Sequence, residues 1–188
     1  MESIQHLLGA RKAGFQYIWN LLKKNNVELI VETGTSRIPD NWEGDGQSTR
    51  IWDMYLKERG NGKCYSIDIC EYSCEVAKEM CSDNCNIVCS DSIKWLSEFQ
   101  DTNKIGFLYL DSHDIDWSNP HPASLHHLME LTACFAQLSP KCIIAVDDNR
   151  PESGKGKYVR EFLEKIGYKC ILDDYQIVMC KGDGNVVV

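Results

Sequence analysis

The chain has 188 residues, 43% hydrophobic and 26% charged, a composition that suits one globular domain with its own core and excludes a disordered chain. Its formal net charge of -8 argues against broad binding to nucleic acid or to an anionic membrane, because either needs a basic face. No apolar run reaches the roughly 18 residues of a membrane span, and the opening Met1-Glu2-Ser3-Ile4-Gln5-His6 lacks the basic-then-apolar order of a signal peptide. A reducing, cytoplasmic setting is the expectation.

Residues 1–25 predict an N-terminal helix, with Ile4, Leu7, Leu8, Phe15, Ile18 and Leu22 at helical spacing and Lys23 and Lys24 in the last turn. Leu29-Ile30-Val31 reads as a short buried strand that runs into Glu32-Thr33-Gly34-Thr35. A loop through Gly44-Asp45-Gly46 follows, after which Ser48 or Thr49 can cap a helix carrying Ile51, Met54, Tyr55 and Leu56. Cys64 to Asp68 is a second strand, followed by a helix from about Tyr72 to Met80. Asn86 to Cys89 is a third strand, and Ser90-Asp91-Ser92 caps the next helix. Ile105 to Leu110 forms a fourth strand that stops at Asp111. A long helix with Leu125, Leu128, Leu131, Phe135 and Leu138 leads to a fifth strand, Cys142 to Val146, stopping at Asp147-Asp148-Asn149. Gly154-Lys155-Gly156-Lys157 reads as a flexible loop before a helix near 155–165. Tyr168 to Leu172 and Gln176 to Cys180 have no room for a helix between them and predict an antiparallel hairpin. Together these elements predict a single α/β domain over residues 1–188: a mostly parallel, seven-stranded sheet with a C-terminal antiparallel hairpin and helices on both faces.

Ten cysteines are scattered along the chain, several inside apolar runs, where a free thiol acts as a small hydrophobe. Cys70-x3-Cys74 with Cys81-x3-Cys85 offers zinc as the sharper alternative, although the spacing is wider than in zinc ribbons.

In a parallel sheet covered on both faces, ligands bind at the carboxyl ends of the strands. Those ends carry Glu32, Asp68, Asp91, Asp111, Asp147 and Asp148. Helix capping accounts for Asp91 and partly for Asp68. It leaves Asp111 and Asp147-Asp148-Asn149 as carboxylates crowded where they repel, a situation that a bound cation would relieve. The glycines from Gly34 to Gly46 let a ligand approach backbone and the helix start at Ser48. Asp68 lies 22 residues after Gly46, the separation expected of an acid on a ribose diol. Gly44-x-Gly46 lacks a third glycine, so the dinucleotide fingerprint is incomplete.

These features resemble the class I S-adenosylmethionine-dependent methyltransferases over nearly the whole chain. Glu32-Thr33-Gly34-Thr35 looks like their first motif, Asp68 like the ribose acid, and Ser90-Asp91-Ser92 like the adenine-side segment; the terminal hairpin is that family's topological mark. Phe107-Leu108-Tyr109-Leu110-Asp111 with Ala145-Val146-Asp147-Asp148-Asn149 resembles the metal-dependent O-methyltransferases of catechol and sugar type. The resemblance implies S-adenosylmethionine held by Glu32, Thr33, Gly34, Thr35, Ser48, Asp68, Ser90, Asp91, Ser92 and Asp111. It also implies Mg²⁺ or Mn²⁺ on Asp111 and Asp148, with Asp147 (sugar type) or Asn149 (catechol type) as third ligand. Catechol enzymes place a lysine base three residues after the first Asp, where this chain has Asp114.

A metal can lower the pKa of a bound hydroxyl, and a base must still take its proton. Asp111, His113 and Asp114 are the candidates, while His121, His126 and His127 read as solvated or packing residues. Trp42 and Trp117 fall in loops at the same sheet edge, as lid or sugar platform. The expected activity is methyl transfer to a sugar or glycan hydroxyl, with a small catechol as the alternative acceptor. A nicotinamide-dependent oxidoreductase and a non-catalytic cofactor-binding domain are the rivals from other classes.

Overall fold

The computed structural model describes residues 1–150 and 153–181; the expected domain range also includes residues 151–152 and 182–188, which lie outside the described residues. The five βα repeats and the hairpin build one seven-stranded sheet. Its strands are β1 (Leu29–Thr33), β2 (Lys63–Asp68), β3 (Cys85–Cys89), β4 (Ile105–Leu110), β5 (Leu138–Val146), β8 (Tyr168–Asp173) and β9 (Ile177–Lys181). The order is β3-β2-β1-β4-β5-β9-β8, with only β9 antiparallel to its neighbours. A second, two-stranded piece pairs β6 (Asn149–Arg150) with β7 (Ser153–Gly154) directly after β5. Strand order switches between the parallel neighbours β1 and β4, β2 and β3 being added on one side and β5 on the other, the point at which such sheets leave a crevice over the strand ends.

The helices are α1 (Lys12–Lys24), α2 (Trp42–Asp45), α3 (Ser48–Arg59), α4 (Glu71–Met80), α5 (Ser92–Glu98), α6 (His121–Cys134) and α7 (Lys157–Lys165). Alternate residues of each central strand enter opposite cores, as a two-residue period requires. Ile30, Phe107, Tyr109, Ile143 and Ala145 pack under α1 and α3 with Phe15, Trp52 and Tyr55. Val31, Leu108, Leu110, Ile144 and Val146 pack on the other face with Leu96, Leu131, Val159 and Leu163. Trp52 meets the rings of Phe107 and Tyr109 edge-on at 5.0 and 5.2 Å, fixing α3 over the middle of the sheet.

Five local expectations change, the first being that Trp42–Asp45, read as loop, forms the short helix α2 with Trp42 buried. The N-terminal helix is not continuous: two 3-10 turns, Glu2–Leu7 and Gly9–Arg11, precede α1, because Gly9 takes a left-handed φ of +50°. The helix after β4 ends at Cys134, and Leu138 already belongs to β5, since Pro140 cannot continue a helix. Neither Ser48 nor Thr49 caps α3; Gln47 occupies that position at φ +52° without a side-chain cap. The segment read as a loop at 154–157 is ordered by β7 and the start of α7.

Candidate active site

Two buried glutamates hold the strand ends from opposite faces. Glu32, fully buried at the end of β1, accepts from Thr49 Oγ1 (2.7 Å), Ser66 Oγ (2.6 Å) and Trp52 Nε1 (2.8 Å). Burial lifts its carboxyl to about 7 against hydrogen bonds from Ser48, Ser66, Thr49 and Trp52 that pull it down. Glu32 was expected to hold the cofactor; with its oxygens closed in by these donors, it ties β1 to β2 and α3 beneath the crevice. Thr33, the next residue, points to the other face, where its hydroxyl donates to Glu130 Oε2 at 3.0 Å. Glu130 also accepts from Ser92 and Ser112 and pairs with His127 Nδ1 (2.7 Å) and His126 Nε2 (3.2 Å). Burial opposes its charge, but His126, His127 and Ser112 hold its carboxyl far below the usual range. Thr33 is thus buried, with its hydroxyl engaged by Glu130.

Above this layer a polar groove crosses the ends of β1, β2 and β4. Gly34 turns at φ +81°, where an added Cβ would stand 2.6 Å from the Asp111 carbonyl oxygen, so only glycine lets the turn lie against β4. The turn is pinned by Gly34 N donating to Ile67 O (2.7 Å) and Thr35 N to Asp68 Oδ2 (3.1 Å). Thr35, Ser48, Asp68, Asp111 and Ser112 line one stretch of the groove. Asp68, Ile69, Asp91, Ser92, His113 and His126 line the adjoining stretch, a cavity of ≈ 220 Å³. Asp91 caps α5 by accepting from Lys94 N at 2.8 Å, as expected. Ser90 lines neither stretch, and its amide donates to the Asp68 carbonyl oxygen at 2.9 Å.

Arg37, Asp45, Asp111 and Asp114 of this groove also wall an adjoining third cavity of ≈ 270 Å³ over β4 and β5, together with Arg11, Asp148, Lys155 and Tyr175, with Trp117 at its side. Asp111, Asp147 and Asp148 place one carboxylate oxygen each within 4.8 Å of one another, the one such His, Cys, Asp or Glu group among the described residues. Two cations meet them. Lys155 Nζ lies 2.6 Å from Asp111 Oδ1 and 2.9 Å from Asp148 Oδ2. Arg11 Nε lies 2.8 Å from Asp147 Oδ2, and its guanidinium stands 4.7 Å over the Tyr175 ring. Tyr175 donates to Asp148 Oδ1 at 2.8 Å. Burial, only partly offset by Lys155, lifts Asp111 to about 7, and Asp147 and Asp148 push the same way. Asn149 Nδ2 donates to Asp173 Oδ1 (2.9 Å) and the Asp174 carbonyl (3.0 Å), while Asp147 stands with Asp111 and Asp148 in the acid group.

A family model described as a methyltransferase domain matches residues 43–149, more than half of the chain. The chain belongs to that family. The methyltransferase has the class I S-adenosylmethionine-dependent fold, and solved structures across 90% or more of it agree. It is similar to the O-methyltransferase TomG from Streptomyces achromogenes, solved with S-adenosylmethionine, at 13% identity and TM-score 0.62, covering 93% of this chain and 82% of that one. It is similar to an O-methyltransferase from Bacillus cereus, solved with S-adenosylhomocysteine, at 15% identity and TM-score 0.56, covering 90% and 80%. The MycE methyltransferase of mycinamycin biosynthesis, solved with Mg, S-adenosylhomocysteine and mycinamycin VI, aligns at 13% identity and TM-score 0.62, covering 92% of this chain and 48% of that one. At these identities the likeness shows the fold. No curated protein matches the chain by sequence.

Of the two other expected bases of the methyltransferase, Asp114 lines the charged cavity with Asp111 and Asp148, and His113 does not. His113 lines the groove beside Asp68 and Asp91, away from Asp147 and Asp148, and its Nδ1 bonds the Asp114 carbonyl at 2.8 Å. Asp114, largely exposed, pairs with Arg37 at 3.1 Å. Sequence reading missed Arg11, Glu130, Lys155 and Tyr175. The only available signals were Glu130 three residues after His127 on a helix, and a lysine between two glycines beyond β5. The zinc alternative finds no support among the described residues: the cysteines form no qualifying group, and all ten are free of disulfides. No helix among the described residues is long and apolar enough to cross a membrane.

Proposed function

We propose that this methyltransferase moves the methyl group of S-adenosylmethionine to a hydroxyl of a small polar acceptor, a sugar hydroxyl in first place. The observation that carries the reading is that the groove at β1, β2 and β4 shares Arg37, Asp45, Asp111 and Asp114 with the charged cavity over Asp111 and Asp148. Asp68 would accept the ribose hydroxyls, with Gly34, Thr35 and Ser48 against the methionine end and Asp91 and Ser92 on the adenine side. S-adenosylmethionine supplies a sulfonium methyl that is transferred in line to oxygen. As the new O–C bond forms and the S–C bond breaks, the hydroxyl proton passes to Asp111, whose raised carboxyl can accept it near neutral pH.

By their own oxygens Asp111, Asp147 and Asp148 would suit a divalent cation, lying within 4.8 Å with Asp147 Oδ1 buried without a partner, but the Lys155 ammonium already stands on two of them. Such an ion, when bound, would act as a Lewis acid on the acceptor hydroxyl. The catechol reading has one observation in its favour: Lys155 brings an ammonium to Asp111 although position 114 has none. Burial opposes that charge, but Asp111 and Asp148 drive the lysine pKa upward, so it stays protonated and cannot serve as the base. The charged cavity wall also favours a polyhydroxyl acceptor over a flat apolar ring.

The test is transfer of labelled methyl from S-adenosylmethionine across neutral glycosides and simple catechols, with Asp68→Ala alongside. Sugars should turn over, and the variant should raise the KM for S-adenosylmethionine about tenfold, the loss of roughly 1.4 kcal/mol of hydrogen bonding. Turnover of catechols and of no glycoside would replace the sugar reading.

A further inference from the structure

Lys155 is 1% exposed, an unusual place for an ammonium, and the chain is shaped to put it there. Gly154 takes φ +87°, and a Cβ on it would stand 2.6 Å from the Asp148 carbonyl oxygen; a Cβ on Gly156 would stand 2.5 Å from Ile177 Cγ2. Lys155 N itself donates to the Asp148 carbonyl at 3.2 Å. Gly154 therefore presses this backbone onto the segment that leaves β5 and Gly156 onto the start of β9, and the side chain reaches Asp111 at 2.6 Å and Asp148 at 2.9 Å.

Those carboxylates belong to the same three-acid group that suits a divalent ion. An ammonium is a compact point charge with three donors, and it competes for the lone pairs a metal would use. Two cations cannot share these oxygens at contact distance in a buried site without strong repulsion. We propose that Lys155 is the resident cation of the acceptor site: it holds the place between Asp111 and Asp148 that a divalent ion would take, and such an ion enters only by expelling it. Two of its N–H groups serve the two acids, and the third is left to face an acceptor oxygen in the cavity it lines. This rests on the reading of the acid group as the acceptor site.

The experiment is a Mn²⁺ titration followed by electron paramagnetic resonance, on the full chain stripped with EDTA and dialysed. Wild type and Lys155→Met are compared, and S-adenosylhomocysteine binding is measured separately on each. Wild type should leave Mn²⁺ free up to millimolar concentration. Lys155→Met should take up one equivalent with affinity at least about tenfold higher, and adding Asp148→Asn should abolish that gain. Micromolar, stoichiometric binding by wild type, or unchanged affinity in Lys155→Met, would overturn the proposal. A second readout stands should Lys155→Met not fold: the ¹⁵N resonance of the Lys155 ammonium in wild type, assigned by its loss in the charge-conserving Lys155→Arg. It should be unmoved by stoichiometric Mg²⁺, and its displacement there would also overturn the idea. Failure of S-adenosylhomocysteine to bind would count against the cofactor groove and leave the lysine result standing.

Discussion

Glu32 and Glu130 do opposite things with the same carboxyl group. Glu32 meets neutral donors, and burial dominates; Glu130 meets two imidazoles and two serine hydroxyls, and its ionised form wins. Because the folded pKa of Glu130 lies below its unfolded value, its contribution to stability is present above about pH 4.5 and is lost as pH falls below it. Glu130→Gln should cost about 3 kcal/mol at neutral pH, since it strips a buried network of its charged acceptor. Melting followed from pH 7 down to pH 3 should show the gap between variant and wild type narrowing below roughly pH 4.5. A constant gap would mean that Glu130 acts by packing alone. Glu32 adds the reverse slope: its raised pKa makes stability fall as pH rises from its ordinary value to about 7.

At the scale of elements, the site depends on two turns that bring backbone against backbone. At Gly34 the β1 turn lies against the first residues beyond β4, and at Gly154 the short β6–β7 hairpin folds back on Asp148. Gly34→Ala combines a left-handed φ with a Cβ 2.6 Å from the Asp111 oxygen, so strand ends must move apart. It should destabilise the fold by about 1–3 kcal/mol and weaken S-adenosylmethionine binding about tenfold, as calorimetry of both quantities would read. Wild-type cofactor affinity in that variant would mean that the turn yields without disturbing the groove.

At the scale of the whole molecule, the N-terminal segment brings Arg11 into the wall of the charged cavity over β4 and β5. Arg11 reaches across 136 residues of sequence to Asp147 and caps the carbonyl of Glu43 at 3.0 Å. Asp147 is 1% exposed, and its other oxygen already lacks a partner. Arg11→Ala would leave that carboxylate buried and alone, at a cost of about 3–5 kcal/mol. Denaturant unfolding of Arg11→Ala, Asp147→Asn and the double variant measures the coupling. Additive losses would show that the pair does not act as a unit.

Strand and helix periods are local, and the sequence by itself was enough for the alternating βα order, the reversed hairpin and the placement of Asp68, Asp111, Asp147 and Asp148 at strand ends. Apolar burial on both sheet faces leaves few other arrangements of those elements. Which acids face one another, and what answers their charge, was not local. Asn149 and Asp147 are two residues apart, and the path of the chain into β6 turns the former toward Asp173 and leaves the latter with Asp111. Lys155 lies 44 residues from Asp111, and Arg11 stands in a segment whose helical pattern says nothing of its partner. Each follows closely on a glycine in a left-handed conformation, Gly9 at φ +50° and Gly154 at φ +87°, which side-chain patterns do not encode. A carboxylate cluster can be read from strand ends, whereas its counter-charges arrive through tertiary folding, driven by the cost of burying like charges unpaired.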